Sequence, residues 1–241
     1  MTSTILQGDC LQILPTLPPA TCLWADPPDN LGLRYADQIK DKRPADEYVA
    51  WLKDVVRAAL LHGPKVFWLS HYYKYLPAML AFAAEWQLAW ECRLFLWRFQ
   101  FGQHRDTDFG NGFRPILRFS RPGTCWYTQG VRVPSARTLK YHDKRANAAG
   151  RVPDDVWDFP RVCGTFHERR PWHPNQHPIA LMKRIVAVSC LPGDTVIDLF
   201  GGTGSCLRAC RELGVACTSI ELSHTYCENL QKDLDTARQE R

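Results

Sequence analysis

Apolar residues recur along the chain in short runs bounded by turn residues and in longer stretches with helical spacing. Residues 20–25 form an apolar run that stops at Asp26-Pro27-Pro28, and neither proline can continue a central strand, so a buried strand is predicted to end there. From Asp46, the expected cap, the positions Tyr48, Val49, Leu52, Val55, Val56, Ala59 and Leu60 follow the helical period until His62-Gly63-Pro64 ends it. A strand over 65–70, a helix over 77–87 and strands over 93–98 and 115–120 come next, the last two separated by the polar, glycine-bearing stretch 102–112. Residues 121–170 are rich in Pro, Gly and Arg without clear periodicity and read as an inserted loop region. Order returns with a helix over 179–190, a turn at Pro192-Gly193-Asp194, a strand over 195–200, a glycine loop, a helix over 205–213, a strand over 216–222 and a last helix from His224. This alternation implies an α/β fold with a doubly wound, mostly parallel sheet.

The 241 residues suffice for one large α/β domain carrying an insertion, and 45% hydrophobic residues exclude a disordered polymer. No apolar run approaches the ~20 residues of a membrane span. The first residues lack the basic start and apolar segment of an export signal, so a cytoplasmic location is expected. The ten cysteines include no CxxC; Cys22, Cys190, Cys217 and Cys227 lie among apolar residues, and Cys206 and Cys210 are one helical turn apart, as reduced core thiols would be. A metal site drawn from Cys163, His167, His173 and His177 would be interrupted by three prolines, and no metal is expected.

The net charge of +5 gains meaning when it is divided along the chain. Residues 93–170 hold 15 Lys/Arg against 7 Asp/Glu, whereas 1–92 hold 8 against 10 and 171–241 hold 7 against 8. Phe95, Trp97, Phe99, Phe101, Phe109, Phe113, Phe119, Trp126 and Tyr127 are interleaved with those arginines. Such a mixture suits contact with phosphates and unstacked bases, and composition alone leaves open a solvated loop face.

Two motifs carry chemistry. In Val196-Ile197-Asp198-Leu199-Phe200-Gly201-Gly202-Thr203-Gly204-Ser205 an apolar strand opens into glycines and a helix, which brings backbone N–H groups close to a ligand. Glu221 ends the next strand, where an acid in such folds takes the ribose hydroxyls of a nucleoside. A nucleoside-bearing cofactor follows, and Leu207 at the third glycine position of the dehydrogenase fingerprint disfavours a nicotinamide. Asp26-Pro27-Pro28-Asp29-Asn30 ends another strand and can face the same cleft, where a carboxylate and proline-fixed carbonyls suit the hydrogens of an amino group.

Together these residues resemble the β-class S-adenosylmethionine-dependent amino methyltransferases of DNA, whose catalytic tetrapeptide is Asp/Ser-Pro-Pro-Tyr. Gly8-Asp9-Cys10 and His173-Pro174-Asn175-Gln176-His177-Pro178 extend the likeness over nearly the whole chain. The resemblance implies a seven-stranded Rossmann-like methyltransferase domain over 1–241, with permuted motif order and a target-recognition region over about 99–172. It implies S-adenosylmethionine as cofactor and methylation of N6 of adenine, with N4 of cytosine, RNA methylation, or a silent protein that binds cofactor and DNA as rivals. Asp26 and the Pro27 carbonyl would hold the amine, with Pro28 and Asp29 completing the catalytic tetrapeptide. Asp9, Cys10, Glu221 and Leu222 would meet the adenosine, Phe200 the methionine side, and the Gln176–Pro178 backbone the methionine carboxylate. Asp198 would orient the loop Gly201, Gly202, Thr203, Gly204 and Ser205. DNA is the implied partner, with a homodimer and a companion restriction nuclease as further expectations.

One position departs from the family: Asp29 stands where a ring should stack on the flipped base. Tyr35 is the expected substitute, and Asp29 is expected to read donors on a base edge. Asn30, Tyr35, Arg98, Arg105 and Arg114 are the expected substrate contacts. His71-Tyr72-Tyr73-Lys74-Tyr75 reads as a surface turn, Trp51, Trp86 and Trp90 as core, and residues 232–241 as a solvated helix face.

Overall fold

The computed structural model describes residues 2–103 and 105–239, which build one eight-stranded sheet covered on both faces. The strands are β1 (Ser3–Gln7), β2 (Cys22–Ala25), β3 (Val66–Ser70), β4 (Glu91–Gln103), β5 (Asn111–Ser120), β6 (Val156–Asp158), β7 (Thr195–Asp198) and β8 (Ala216–Glu221). The helices are α1 (Cys10–Ile13), α2 (Ala45–His62), α3 (Leu76–Ala84), α4 (Ala136–Leu139), α5 (Ile179–Ser189), α6 (Ser205–Leu213) and α7 (His224–Gln239). Spatial order is β1-β8-β7-β2-β3-β5-β4-β6, and only β5 runs antiparallel to its neighbours.

The sheet therefore has eight strands rather than seven. The additional strand β6 lies inside the stretch read as loop, where Val156–Asp158 pairs with Leu96–Arg98. Three residues are too few to carry a strand period. The region from 121 to 170 otherwise holds turns, a single antiparallel bridge between Val133 and Arg151, one short 3-10 turn and the four-residue α4.

Both faces of the central strands are buried, as parallel strands require. Along β2, Leu23 and Ala25 enter a core shared with α2 and α3, while Cys22 and Trp24 enter a second core beneath α5 and α6. The alternation follows from the two-residue period of a strand. Helix α2 begins at Ala45 with Pro44 as its cap residue; Asp46 serves instead as an acid in the first turn, where it favours the helix dipole, and Gly63 closes the helix at φ 79°. Of the expected core tryptophans, Trp90 is fully buried, and Trp51 and Trp86 pack half-buried against the first core. Cys22, Cys190, Cys206, Cys210 and Cys217 are buried, and the last three bring their sulfurs within 4.8 Å of one another, a grouping the spacing does not reveal. In the C-terminal run Lys232 is exposed and Leu234 is buried, and residues 240 and 241 lie outside the described residues.

Candidate active site

The connections reverse direction between β7 and β2, so the carboxyl ends of these neighbours form the crevice where doubly wound sheets hold ligands. Trp24 stands opposite Asp198 in register, which sets Asp26 beside the loop that begins at Leu199. One cleft is lined by Asp9, Asp26, Pro27, Pro28, Phe200, Gly201, Gly202, Thr203, Ser205 and Glu221, so both motifs face it.

Asp26 is held from two sides. Its Oδ2 lies 2.9 Å from Nδ1 of His177, and its Oδ1 accepts from a terminal nitrogen of Arg114 at 2.6 Å. Ser70 closes the ring, accepting from Arg114 Nε at 2.6 Å and lying 3.0 Å from His177 Nε2. The His177 ring thus bridges Ser70 at Nε2 and Asp26 at Nδ1, donating its Nδ1–H to the carboxylate. The imidazole is wedged between Trp24 and Trp97, with ring centroids 5.5 and 5.0 Å away. Burial alone would raise the Asp26 pKa, yet His177 and Arg114 together hold the carboxyl well below the usual range. Asp26 is therefore an ionised carboxylate with lone pairs left to offer the cleft.

The same arginine corrects two expectations. Arg114 is not a solvent-facing substrate contact; it is buried, donating to Oδ2 of Asp29 at 2.7 Å and to Oδ1 at 2.8 Å. Both Asp29 oxygens are therefore occupied, and Asp29 is absent from the cleft lining, so it presents no acceptor to a base edge. An isolated Arg at 114 and an isolated Asp at 29 carry no sequence signal of their pairing across 85 residues.

The glycine loop is shaped by close approach. A Cβ at Gly201 would stand 2.6 Å from Ser219 Oγ and 3.3 Å from the Glu221 and Leu230 side chains, and Gly202 and Gly204 have φ values of 48° and 70°. Glu221 accepts from the Gly202 and Ser223 amides at 2.7 and 2.8 Å, and burial raises its pKa. Buried Asp198, also raised by burial, accepts from the Phe200 amide at 3.2 Å at the start of the loop. Asp9 caps α1 by accepting from Leu11 at 2.9 Å, and Cys10 and Leu222 line the cleft beside it. Pro178 and Gly204 lie just outside the lining, each as the cap residue of α5 and α6 respectively.

Residues 30–43 fold into a strap along the cleft. Asp41 gathers the amides of Asn30, Leu31 and Leu33 at 2.8 to 3.2 Å. Asn30, at φ 60°, spends its side chain on the Arg43 backbone and the Tyr75 hydroxyl, so it shapes the strap although it also lines the cleft. Asp37 accepts from Ser223 and Thr225 at the start of α7, and Ala36 donates to the Tyr226 hydroxyl, which fastens the strap to the far wall. Tyr35 reaches the cleft with its ring 5.5 Å from His173.

Other expected residues are placed elsewhere. Arg98 is exposed and forks onto Asp158, and Arg105 pairs with Asp108 on the turn between β4 and β5, which also carries exposed Phe109. The Gln176 side chain is spent on Arg170 and Glu168, and the His177 carbonyl accepts from Ser205 at 2.8 Å; both residues line the cleft, and the His177 ring adds a contact to Asp26. His71 is not a surface residue: it is fully buried, its Nδ1 facing the Tyr72 carbonyl and its Nε2 unpartnered, and burial lowers its pKa to about 4. The Cys163/His167/His173/His177 grouping is not assembled, since His177 goes to Asp26 and His173 packs against Tyr35 and Tyr226.

Known proteins resemble the chain over most of its length. The DNA adenine methyltransferase YhdJ of Escherichia coli (strain K12) is 27% identical, over 97% of this chain and 83% of that protein. The type II methyltransferase M.HpaI of Haemophilus parainfluenzae is 28% identical over 88% of this chain and 67% of its own length. The crystal structure of an M1.HpyAVI-SAM complex shares the fold at TM-score 0.67 and 19% identity, covering 97% of this chain and 99% of the other. The cytosine-N4-specific PvuII DNA methyltransferase does so at 0.68 and 13%, covering 94% and 84%. Residues 21–232 match the family model described as a DNA methylase, and the chain belongs to that N6/N4 DNA methylase family.

Proposed function

We propose that this chain transfers a methyl group from S-adenosylmethionine to N6 of an adenine flipped out of DNA. The observation that carries the reading is the placement of Asp26, ionised and anchored, on the same cleft as the glycine loop and Glu221. The cleft suits the cofactor's parts: Glu221 and Asp9 offer carboxylates for adenosine hydroxyls and amine, Phe200 and Trp51 an apolar wall, and the tight glycine turn room for a chain that a Cβ would exclude. S-adenosylmethionine supplies an electrophilic methyl on a sulfonium.

The chain's own residues do the rest. An exocyclic amine is conjugated and weakly nucleophilic, so Asp26 and the Pro27 carbonyl hold its hydrogens and leave a lone pair aimed for in-line attack. The Pro28 carbonyl is already engaged by the Tyr48 hydroxyl at 2.6 Å, which fixes the turn and leaves Pro27 as the carbonyl for the amine. Flipping costs about a few kcal/mol, which the basic segment with Arg105 and exposed Phe109 helps to repay by gripping the strand. Adenine is favoured because YhdJ is named an adenine methyltransferase. Self-association into a dimer and a companion nuclease are the family expectations that extend the reading.

Incubation with radiolabelled S-adenosylmethionine and mixed-sequence DNA, followed by nucleoside analysis, tests it. Label in N6-methyladenine is expected, and abolished transfer with retained cofactor binding in Asp26→Ala. Label in N4-methylcytosine or in RNA would reassign the target, and cofactor binding without transfer would overturn the enzyme reading.

A further inference from the structure

Buried charge around Asp26 carries more than ordinary support. We propose that Asp29 and Arg114 are positioning residues for methyl transfer, with Asp29 supplying the counter-charge that lets Asp26 face the target amine with its full negative charge. The inference rests on the methyl-transfer reading above.

Arg114 spends its donors on four acceptor atoms, both oxygens of Asp29, one of Asp26 and Ser70 Oγ, and its side chain and that of Asp29 are only 10% and 8% exposed. A guanidinium so placed orients Asp26 through a fixed fork. Alone, it would also neutralise Asp26 and weaken it as an acceptor. Asp29 removes that penalty: two carboxylates share the one guanidinium, so its charge is not spent on Asp26 alone. The nitrogen that gains a methyl group bears positive charge until it releases a proton to solvent, and an excess of carboxylate over guanidinium beside it stabilises that charge in a site of low dielectric. This arrangement gives the departure from the family tetrapeptide a physical reason, because an aspartate at 29 is required once an arginine stands at 114. The remaining ionisable groups facing the cluster are otherwise engaged or neutral. His71 after β3 and His173 before α5 have their pKa values lowered by burial, Asp41 on the strap is occupied by three amides, Tyr48 on α2 binds the Pro28 carbonyl, and Tyr35 and Asp198 are held protonated by burial.

Single-turnover transfer, S-adenosylhomocysteine binding and thermal melting across about pH 5 to 8 in Asp29→Asn, Arg114→Gln and the double variant test the proposal. Each single change is expected to slow transfer by about 100-fold while product binding stays within about twofold. In Arg114→Gln two carboxylates share one buried site, so one takes up a proton near neutrality. Its transfer rate should therefore acquire an acid limb relative to the parent, and its melting temperature should fall with rising pH more steeply than the parent's. The double variant restores the excess of one carboxylate over arginine, and should recover about tenfold over the worse single variant and lose both pH signatures. A double variant no better than the worse single, or rate and melting profiles in Arg114→Gln that run parallel to the parent's, overturns the proposal. A parent protein that transfers no methyl group to DNA overturns the functional reading instead, and the melting profiles still decide the charge pairing.

Discussion

His177 donates from Nδ1 to Oδ2 of Asp26 across 2.9 Å and is itself oriented by Ser70, so the carboxylate that faces the cleft is fixed by a ring of buried side chains rather than by its own loop. Ser70, His177 and Asp26 stand in the sequence of contacts used by serine nucleophiles, yet Ser70 is wholly buried and its oxygen receives the Arg114 Nε hydrogen, which removes it from nucleophilic work.

Replacing His177 with Phe keeps a ring between Trp24 and Trp97 and deletes the donor. Transfer is expected to slow by about 100-fold with cofactor binding little changed, whereas His177→Asn, which retains a donor, should recover part of the rate. Single-turnover assays on DNA check both.

Gly201 tolerates no methyl group because Ser219 Oγ would stand 2.6 Å away. Gly201→Ala is expected to cost about 1–3 kcal/mol and to weaken cofactor binding. Ser219 Oγ has no hydrogen-bond partner, so Ser219→Ala alone should leave stability nearly unchanged and, combined with Gly201→Ala, restore much of the loss. Urea melts of the four proteins give the coupling.

Burial lowers the His71 pKa to about 4, below its unfolded value near 6.5, so the unfolded chain binds the extra proton first. The stability owed to neutral His71 is present above about pH 6.5 and is lost as the pH falls toward 4, by on the order of 3 kcal/mol at most. A His71→Phe variant should show a flatter melting profile over that window than the parent.

Asp37 ties the strap to α7 through Ser223 and Thr225. Asp37→Ala is expected to loosen the strap and raise the dissociation constant for S-adenosylhomocysteine several-fold, less than the tenfold that corresponds to about 1.4 kcal/mol. Calorimetric titration measures it, and the Asp26 network should be untouched.

Exposed Phe109 on the β4–β5 turn should matter only when DNA is present. Phe109→Ala is expected to raise KM for DNA by about tenfold without shifting the melting temperature or cofactor affinity, as steady-state kinetics and melts would show.

Much of this architecture was legible in the chain. The run ending at Asp26-Pro27-Pro28, the glycine loop and the helix over 205–213 announce themselves because strand periods, proline breaks and glycine turns are local properties. What escaped was non-local. Arg114 meets Asp29 only because β5 lies antiparallel beside β3, and His177 meets Ser70 across 107 residues. His71 lies buried with its amide donated to the Pro115 carbonyl of β5, and β6 is recruited by β4 rather than by its own three residues. A long-range contact between two unremarkable residues leaves no trace in a single sequence.

The placement of β7 and β8 between β1 and β2 also orders events in time. β1 pairs only with β8, so during synthesis the first strand has no partner in the sheet until residues 216–221 have emerged, and the cleft has no floor until 195–204 have emerged. Contacts that span nearly the whole chain form slowly, because the loop they close must be paid for before pairing rewards it. The nascent protein therefore completes its basic segment before it can grip a cofactor, and any methylating competence arrives in one late, cooperative step.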